Sequence, residues 1–278
     1  MLAAGCRPVL YVLDVARVAE VRAWRPPVAG VAEVLHATFP DHAYPVHTHD
    51  TWAVLVVDAG VVAYDLEHHA HGALRTLVTV LPPHIPHDGR SVNATGFRKR
   101  VLYLEADAIS PALVGQAVDG PGLDDPELRQ EIHLLHQALL QHGEVFEAES
   151  RLTLVRDRVE RRLAAGVVAP VRRTDGRLAR RLRDLLDESV TTGLTLSDAA
   201  AMLDAHPSHL VRSFSGEYGI APHQYLTGRR LDRARRLLLA GRRPADIAVE
   251  VGFYDQAHLT RHFKRLLGVT PGVFSRRV

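Results

Sequence analysis

The sequence predicts an α+β, multidomain chain whose first part is rich in short strands and whose last part is all helix. Three observations predict it. Between about Val28 and Glu105, short runs of Val, Leu and aromatic residues are divided by turn residues. From Leu123 onward the apolar residues recur at helical spacing. The charge also divides: residues 1–166 carry 15 Lys+Arg against 21 Asp+Glu, and residues 167–278 carry 19 against 11. An acidic front and a basic back imply that only the C-terminal part meets a polyanion. At 278 residues and 46% apolar, the chain is long enough for two ordinary cores. A single cysteine excludes a disulfide framework within the chain and fits a reducing cytosol. Leu2-Ala3-Ala4-Gly5-Cys6 looks like a lipoprotein cleavage box, but no charged leader or long apolar stretch precedes it, so Cys6 is read as incidental. No run approaches the roughly 18 apolar residues of a membrane span, and the expectation is a soluble, cytoplasmic protein.

The strands come first. Val31–Leu35, Trp52–Val57, Val61–Leu66, Leu74–Leu81 and Arg100–Leu104 are the candidates, separated by Pro40-Asp41, Ala59-Gly60, His71-Gly72, Pro82-Pro83 and Asp88-Gly89. Several short strands with regular turns predict a sandwich or barrel over residues 1–122. Residues 123–165 return to helical spacing. Leu128, Ile132, Leu135 and Leu139 form one stripe, and Leu152, Val155, Val159 and Leu163 another, with a break at His142-Gly143. This helical hairpin either covers the β domain or forms a two-fold dimer contact; dimerisation is favoured, because pairing two copies of a weakly binding module multiplies affinity. Residues 166–176 (GVVAPVRRTDG) have no period and read as a linker. Residues 177–278 are the last domain, opening on a packing helix with Leu178, Leu182 and Leu185 inward.

Within that domain one design occurs twice: a small apolar helix, a tight turn, and a polar, basic helix. The first copy is Leu196–Leu203, the turn Asp204-Ala205-His206, and Pro207–Tyr218; Thr195 and Asp198 form a capping box before it. The second is Pro244–Val251, a turn at Gly252, and Asp255–Leu267. This is the layout of a helix-turn-helix, whose second helix enters the major groove. Leu210, Phe214 and Tyr218 face inward in the first copy, and Leu259, Phe263 and Leu266 in the second. Ser208, Arg212 and Ser215 lie outward in one; Ala257, Arg261 and Lys264 do so in the other, flanked by Gln256, His258, Thr260 and His262. Small residues allow close approach to base edges, and arginine can bind guanine in bidentate fashion. Pro222–Leu239 connects the copies as a helix of roughly 25 Å, which suits two reading helices in successive major grooves about 34 Å apart.

The segment resembles the DNA-binding domain of the AraC/XylS family of bacterial transcription regulators. Arg230-Leu231, Ala234-Arg235 through Leu238, Ile247-Ala248, Val251-Gly252-Phe253, His258, Arg261, Phe263-Lys264-Arg265, Gly268, Thr270 and Pro271 carry the resemblance. It departs at Asp204, where the family usually has Gly, and at His206, where it usually has a Ser cap. Asp takes the left-handed conformation less readily than Gly, which makes the first unit the weaker reader. The resemblance implies contacts to double-stranded promoter DNA from Ser208, His209, Val211 and Arg212, and from Gln256, Ala257, His258, Thr260, Arg261 and Arg265. It further implies a homodimer, and RNA polymerase as a partner if the protein activates.

Eight of the 17 histidines fall between His42 and His87. His47-Thr48-His49 followed by Gly60, then Pro82-Pro83-His84-Ile85-Pro86-His87, resembles the two short motifs of a cupin barrel, the sensor domain common in such regulators. The implied pocket holds His47, His49, Trp52, Tyr64, His84, His87 and Tyr103, and a small-molecule effector. Metal-binding cupins use two His, a Glu and a further His; here His47, His49 and His87 match, while Ala53 or Val54 occupies the Glu position. Three imidazoles could hold a divalent transition metal such as Zn, or serve only as pocket wall. The leading expectation is a ligand-responsive transcription regulator with no catalytic step. The alternatives are a metal-dependent cupin enzyme fused to a DNA-targeting domain, and an architectural DNA binder whose barrel only dimerises.

Overall fold

The computed structural model describes residues 19–275 apart from 68, 93–94, 167–174 and 268. Cys6, most of the 166–176 linker and Gly268 therefore lie outside the described residues. The contacts divide the chain into two compact units, residues 1–26 with 30–126, and residues 27–29 with 127–278.

The first unit is built from β1 (Glu20–Trp24), β2 (Val31–Phe39), β3 (Ala43–His47), β4 (Trp52–Ala59), β5 (Val62–Leu66), β6 (His69–Ala73), β7 (Leu77–Leu81), β8 (His87–Ser91) and β9 (Phe97–Leu104), then the short α1 (Val114–Asp119) and β10 (Gly122–Asp124). The strands form two antiparallel sheets, β1-β2-β9-β4-β7-β10 and β3-β8-β5-β6, rather than one closed barrel. Their facing sides share a core: Ala53, Leu55 and Val57 of β4 and Phe97 and Val101 of β9 meet Val62, Tyr64 and Leu66 of β5. Side chains alternate across a strand, so Trp52, Val54 and Val56 point to the other side of β4, where they are buried as well. β1, β3, β6, β8 and β10 escape the apolar-run criterion because they carry few Val or Leu: β6 reads HAHGA and β8 HDGRS. Backbone pairing, not burial, makes them strands.

The second unit contains α2 (Pro126–Leu139), α3 (Val145–Leu163), α4 (Gly176–Glu188), α5 (Leu196–Leu203), α6 (Pro207–Tyr218), α7 (Pro222–Leu239), α8 (Pro244–Ile247), α9 (Gln256–Leu267) and α10 (Pro271–Ser275). Leu128, Ile132 and Leu135, and Leu152, Val155, Val159 and Leu163, are buried as their spacing predicts. The helical hairpin thus packs its stripes within the chain, and Phe146 of α3 enters the core of α4, α5 and α6. A second core joins α7, α8 and α9 through Leu231, Ala234, Leu238, Ile247, Leu259 and Phe263. α7 serves both, giving Leu226 to the first and its later residues to the second.

The turns have identifiable causes. Thr195 and Asp198 form the expected capping box. Asp204 takes the left-handed conformation (φ 50°) that its turn requires, and the His206 ring accepts the Ser208 N–H as a cap. Gly252 at φ 97° closes the second turn; a Cβ there would lie 2.2 Å from the Val190 carbonyl oxygen, so only glycine fits. α8 ends at Ile247, short of the expected Val251, with the rest of that segment in turns.

Candidate functional site

A cavity opens between the two sheets of the first unit, about 520 Å³ including its mouth. His47, His49, Tyr64, His87 and Tyr103 line it as expected, joined by Tyr44 and Lys99. Two expected members are elsewhere. Trp52 lies on the opposite side of β4, fully buried, and its indole N–H donates to the Ala106 carbonyl at 3.2 Å. His84 sits in a turn at φ 63° with its side chain 69% exposed and 3.4 Å from the Asp50 carboxylate.

The three cavity histidines share one tautomer. Their Nδ1 atoms face backbone carbonyls, His47 to Pro45 at 2.8 Å, His49 to Thr51 at 2.7 Å and His87 to Ile85 at 2.9 Å. A carbonyl only accepts, so each Nδ1 carries the proton and each Nε2 presents a lone pair. The His49 Nε2 is buried with no protein partner. Burial lowers the pKa of His49 and pulls that of His87 down to about 4. These tautomers are what a metal needs, but the ligand set does not close. The three ring centres lie 4.6, 4.7 and 6.5 Å apart, and their ligand atoms do not all come within 4.8 Å of one another. Neither Ala53 nor Val54 supplies the carboxylate, and the Lys99 ammonium would oppose a dication. The histidines therefore do not fit a metal as arranged.

Among the described residues, the group whose ligand atoms all lie within 4.8 Å of one another is Glu144, His258 and His262, in the second unit. Its tautomers are the reverse. The His258 Nδ1 accepts the Tyr254 N–H at 3.2 Å, and the His262 Nδ1 accepts from Arg265 at 2.7 Å. Both Nε2 atoms must then carry protons, which point at Glu144 Oε1, 3.4 and 2.6 Å away. A metal would need the lone pairs that these protons occupy. Burial opposes the Glu144 charge, but the hydrogen bonds from His258 and His262 prevail and hold its carboxyl far below the usual range. The approach is close: a Cβ on Gly143 (φ 83°) would lie 2.5 Å from Tyr254 Cβ.

The same elements hold the arginines expected to contact DNA. On α6, the Arg212 guanidinium donates to Asp157 of α3 at 2.8 Å. On α9, Arg261 donates to Gln141 at 2.9 Å and to Glu144 at 2.7 Å, and Arg265 lies 3.5 Å from Glu147. Ser208, His209 and Thr260 are half-buried, while Gln256 and Ala257 are exposed at the start of α9. Two expected contacts are not available. Val211 is fully buried in the first core, because it borders the stripe of Leu210 and Phe214. His258 is buried against Glu144, 4% exposed. Leu266, expected inward, is 62% exposed, since His262 and Phe263 fill the covered faces of α9.

Reading the sequence missed Lys99, Tyr44 and the acidic residues of the α2–α3 segment. Lys99 had a signal: in FRKRVLYL, Phe97, Lys99, Val101 and Tyr103 share one face of β9. Glu144 had none, because it meets Arg261 across 117 residues of chain.

Two family profiles match the chain: the AraC-like ligand binding domain over residues 30–155 and a helix-turn-helix domain over residues 199–277. Relatives include the HTH-type transcriptional regulator YbfI of Bacillus subtilis, 40% identical over 76 residues, which are 27% of this chain and 28% of that one. The virulence regulon transcriptional activator VirF of Yersinia enterocolitica is 31% identical over 105 residues, 37% of this chain and 39% of that one. The chain thus spans less than two fifths of the length of either relative. Among solved structures, the AraC-like transcriptional activator CuxR shares 18% identity over 78% of this chain and 80% of its own, with a TM-score of 0.45. ToxT from Vibrio cholerae shares 11% over 93% and 97%, with a TM-score of 0.34.

Proposed function

We propose that the chain, matched by the AraC-like ligand binding domain over residues 30–155 and by a helix-turn-helix domain over residues 199–277, is a regulator of the AraC type: it reads promoter DNA sequence-specifically and is controlled by a small molecule in the cavity of its first unit. The observation that carries this reading is the repeated helix-turn-helix, each copy with its own core and both joined by α7. No described helix is long and apolar enough to cross a membrane. The reading needs no catalytic step. The cavity offers histidine acceptors, tyrosine hydroxyls and one ammonium, and the carboxylate on its wall, Asp88, is taken up by the Asp65 N–H and Arg90.

DNA contact then falls to Ser208, His209 and Arg212 from α6, and to Gln256, Ala257, Thr260, Arg261 and Arg265 from α9. In this arrangement Arg212, Arg261 and Arg265 must exchange carboxylates of the α2–α3 segment for bases or phosphates. An effector that favours the released state shifts the DNA-bound population by its differential affinity for the two states. Pairing of two copies and contact with RNA polymerase extend the same proposal, the first read by sedimentation with and without operator DNA.

The test is duplex binding by the whole chain across a salt series, using DNA from upstream of its own and neighbouring genes and a shuffled control. The expected result is a preference of about 10³-fold or more with a steep negative salt slope. Salt-sensitive binding without preference would leave only an architectural role. At the residue level, Arg261→Ala is expected to lose roughly 1–3 kcal/mol of discrimination at one base pair. Equal weakening on all sequences would make Arg261 a phosphate contact instead.

A further inference from the structure

We infer that the cavity between the sheets takes a small monoanionic ligand with an apolar body, and that Lys99 is the seat of its anionic group. The inference rests on the reading of that cavity as the effector site and names the chemical class of the effector.

A strand whose inner face builds a core should place apolar residues at every second position. β9 does so at Phe97 and Val101, both nearly fully buried, and then breaks the rule between them with Lys99. The ammonium lies 4.1 Å from the centre of the Tyr44 ring and 5.9 Å from that of Phe97. Those contacts ease its desolvation without neutralising it. No carboxylate among the described residues pairs with it. Asp88, the carboxylate on the cavity wall, is already engaged by the Asp65 N–H at 2.7 Å and by Arg90 at 3.1 Å. The other titratable groups facing this space are Tyr44, Tyr64, Tyr103 and the histidines, none of them an anion near neutrality. His49 and His87 are held neutral by burial.

Lys99 is half-buried, and a charge drawn partly out of water costs free energy unless it is paired. Burial pulls the Lys99 pKa down to about 8, which still leaves the group mostly protonated at neutral pH. A cation kept without a partner, in a cavity whose remaining wall is Leu55, Val62, Leu81 and Val101, is matched by a ligand that brings one negative charge and apolar surface. A sugar or other neutral polyol would leave the ammonium as unpaired as before.

The test uses the whole protein and two fluorescent probes with the same aromatic frame, anionic 1-anilinonaphthalene-8-sulfonate and neutral N-phenyl-1-naphthylamine. The expected result is that the anion binds at least about tenfold more tightly, about 1.4 kcal/mol, that Lys99→Met abolishes this preference, and that Lys99→Arg keeps it. Lys99→Met is also expected to melt at a slightly higher temperature, since an unpaired, half-buried charge has gone. If Lys99→Met does not fold, the wild-type comparison and the arginine variant still decide. Equal binding of the two probes, or a preference that survives in Lys99→Met, overturns the anionic class and leaves the cavity as a binding site. Binding of neither probe overturns the effector-site reading together with it.

Discussion

Two histidine clusters in this molecule are built from the same side chain and have opposite chemistry. In the cavity of the sandwich, Nδ1 donates to backbone carbonyls and the buried Nε2 of His49 is left without a protein partner. Beside α3, Nδ1 accepts and Nε2 donates to a buried carboxylate. The difference is set wholly by what faces Nδ1. The charges follow the same division: Lys99 stands without a carboxylate, whereas Arg212, Arg261 and Arg265 each have one. One region keeps its polar groups available to a ligand, whereas around Glu144 the other satisfies His258, His262 and Arg261 from within the chain and leaves the neighbouring His223 ring buried without a hydrogen-bond partner. A site competent to bind is thus distinguished from a structural cluster by the polar capacity left over, not by residue type.

The comparison can be broken most forcefully at Glu144. Replacing it by Leu leaves two buried imidazole N–H groups without their acceptor and Arg261 with Gln141 alone. The expected loss is about 3 kcal/mol, read as a lower urea midpoint for unfolding of the helices. An unchanged midpoint would mean that water replaces the carboxylate and that the cluster is not closed.

A pH titration probes the other cluster. His87 has a folded pKa of about 4 against an ordinary 6.5. The unfolded chain therefore binds more protons between those values, and stability is complete above about pH 6.5 and declines as pH falls toward 4. The decline expected from this one ring is about 2 kcal/mol after allowance for solvent at the cavity mouth. Chemical denaturation at several pH values, with His87→Gln as the control that loses the dependence, would measure it.

The smallest effect concerns Asp157. Asp157→Asn weakens the hold on Arg212, an ion pair whose side chains are 25% and 10% exposed. Affinity for operator DNA is expected to rise about fivefold, about 1 kcal/mol. A fall in affinity would show that Asp157 positions Arg212 for the groove rather than holding it back.

How much of this was legible in the sequence depended on the range of the interaction. The capping box, the first copy's helices and the inward Leu210, Phe214, Leu259 and Phe263 follow from spacing within a few turns and lie where spacing puts them, while the first helix of the second copy is shorter than its pattern predicts. The cavity histidines were legible because two short motifs bring His47 and His87 onto the neighbouring strands β3 and β8, with His49 just beyond the end of β3. Trp52 and His84 were misplaced because nearness in sequence does not say which side of a strand or turn a side chain takes. The errors at Val211, His258 and Leu266 share another cause. A helical wheel assumes one covered face, and α6 and α9 are each covered on a second by the α2–α3 segment. No local pattern announces that partner.

The geometry around Glu144 also constrains how the sequence can drift. Its single Oε1 atom receives His258 at 3.4 Å, Arg261 at 2.7 Å and His262 at 2.6 Å. Losing the acid strands the two buried imidazole N–H groups at once and leaves Arg261 with Gln141 alone, and no one substitution elsewhere restores all three. Positions 144, 258 and 262 should therefore be inherited as a set, so that descendants with an apolar residue at 144 also carry apolar residues at both histidine positions.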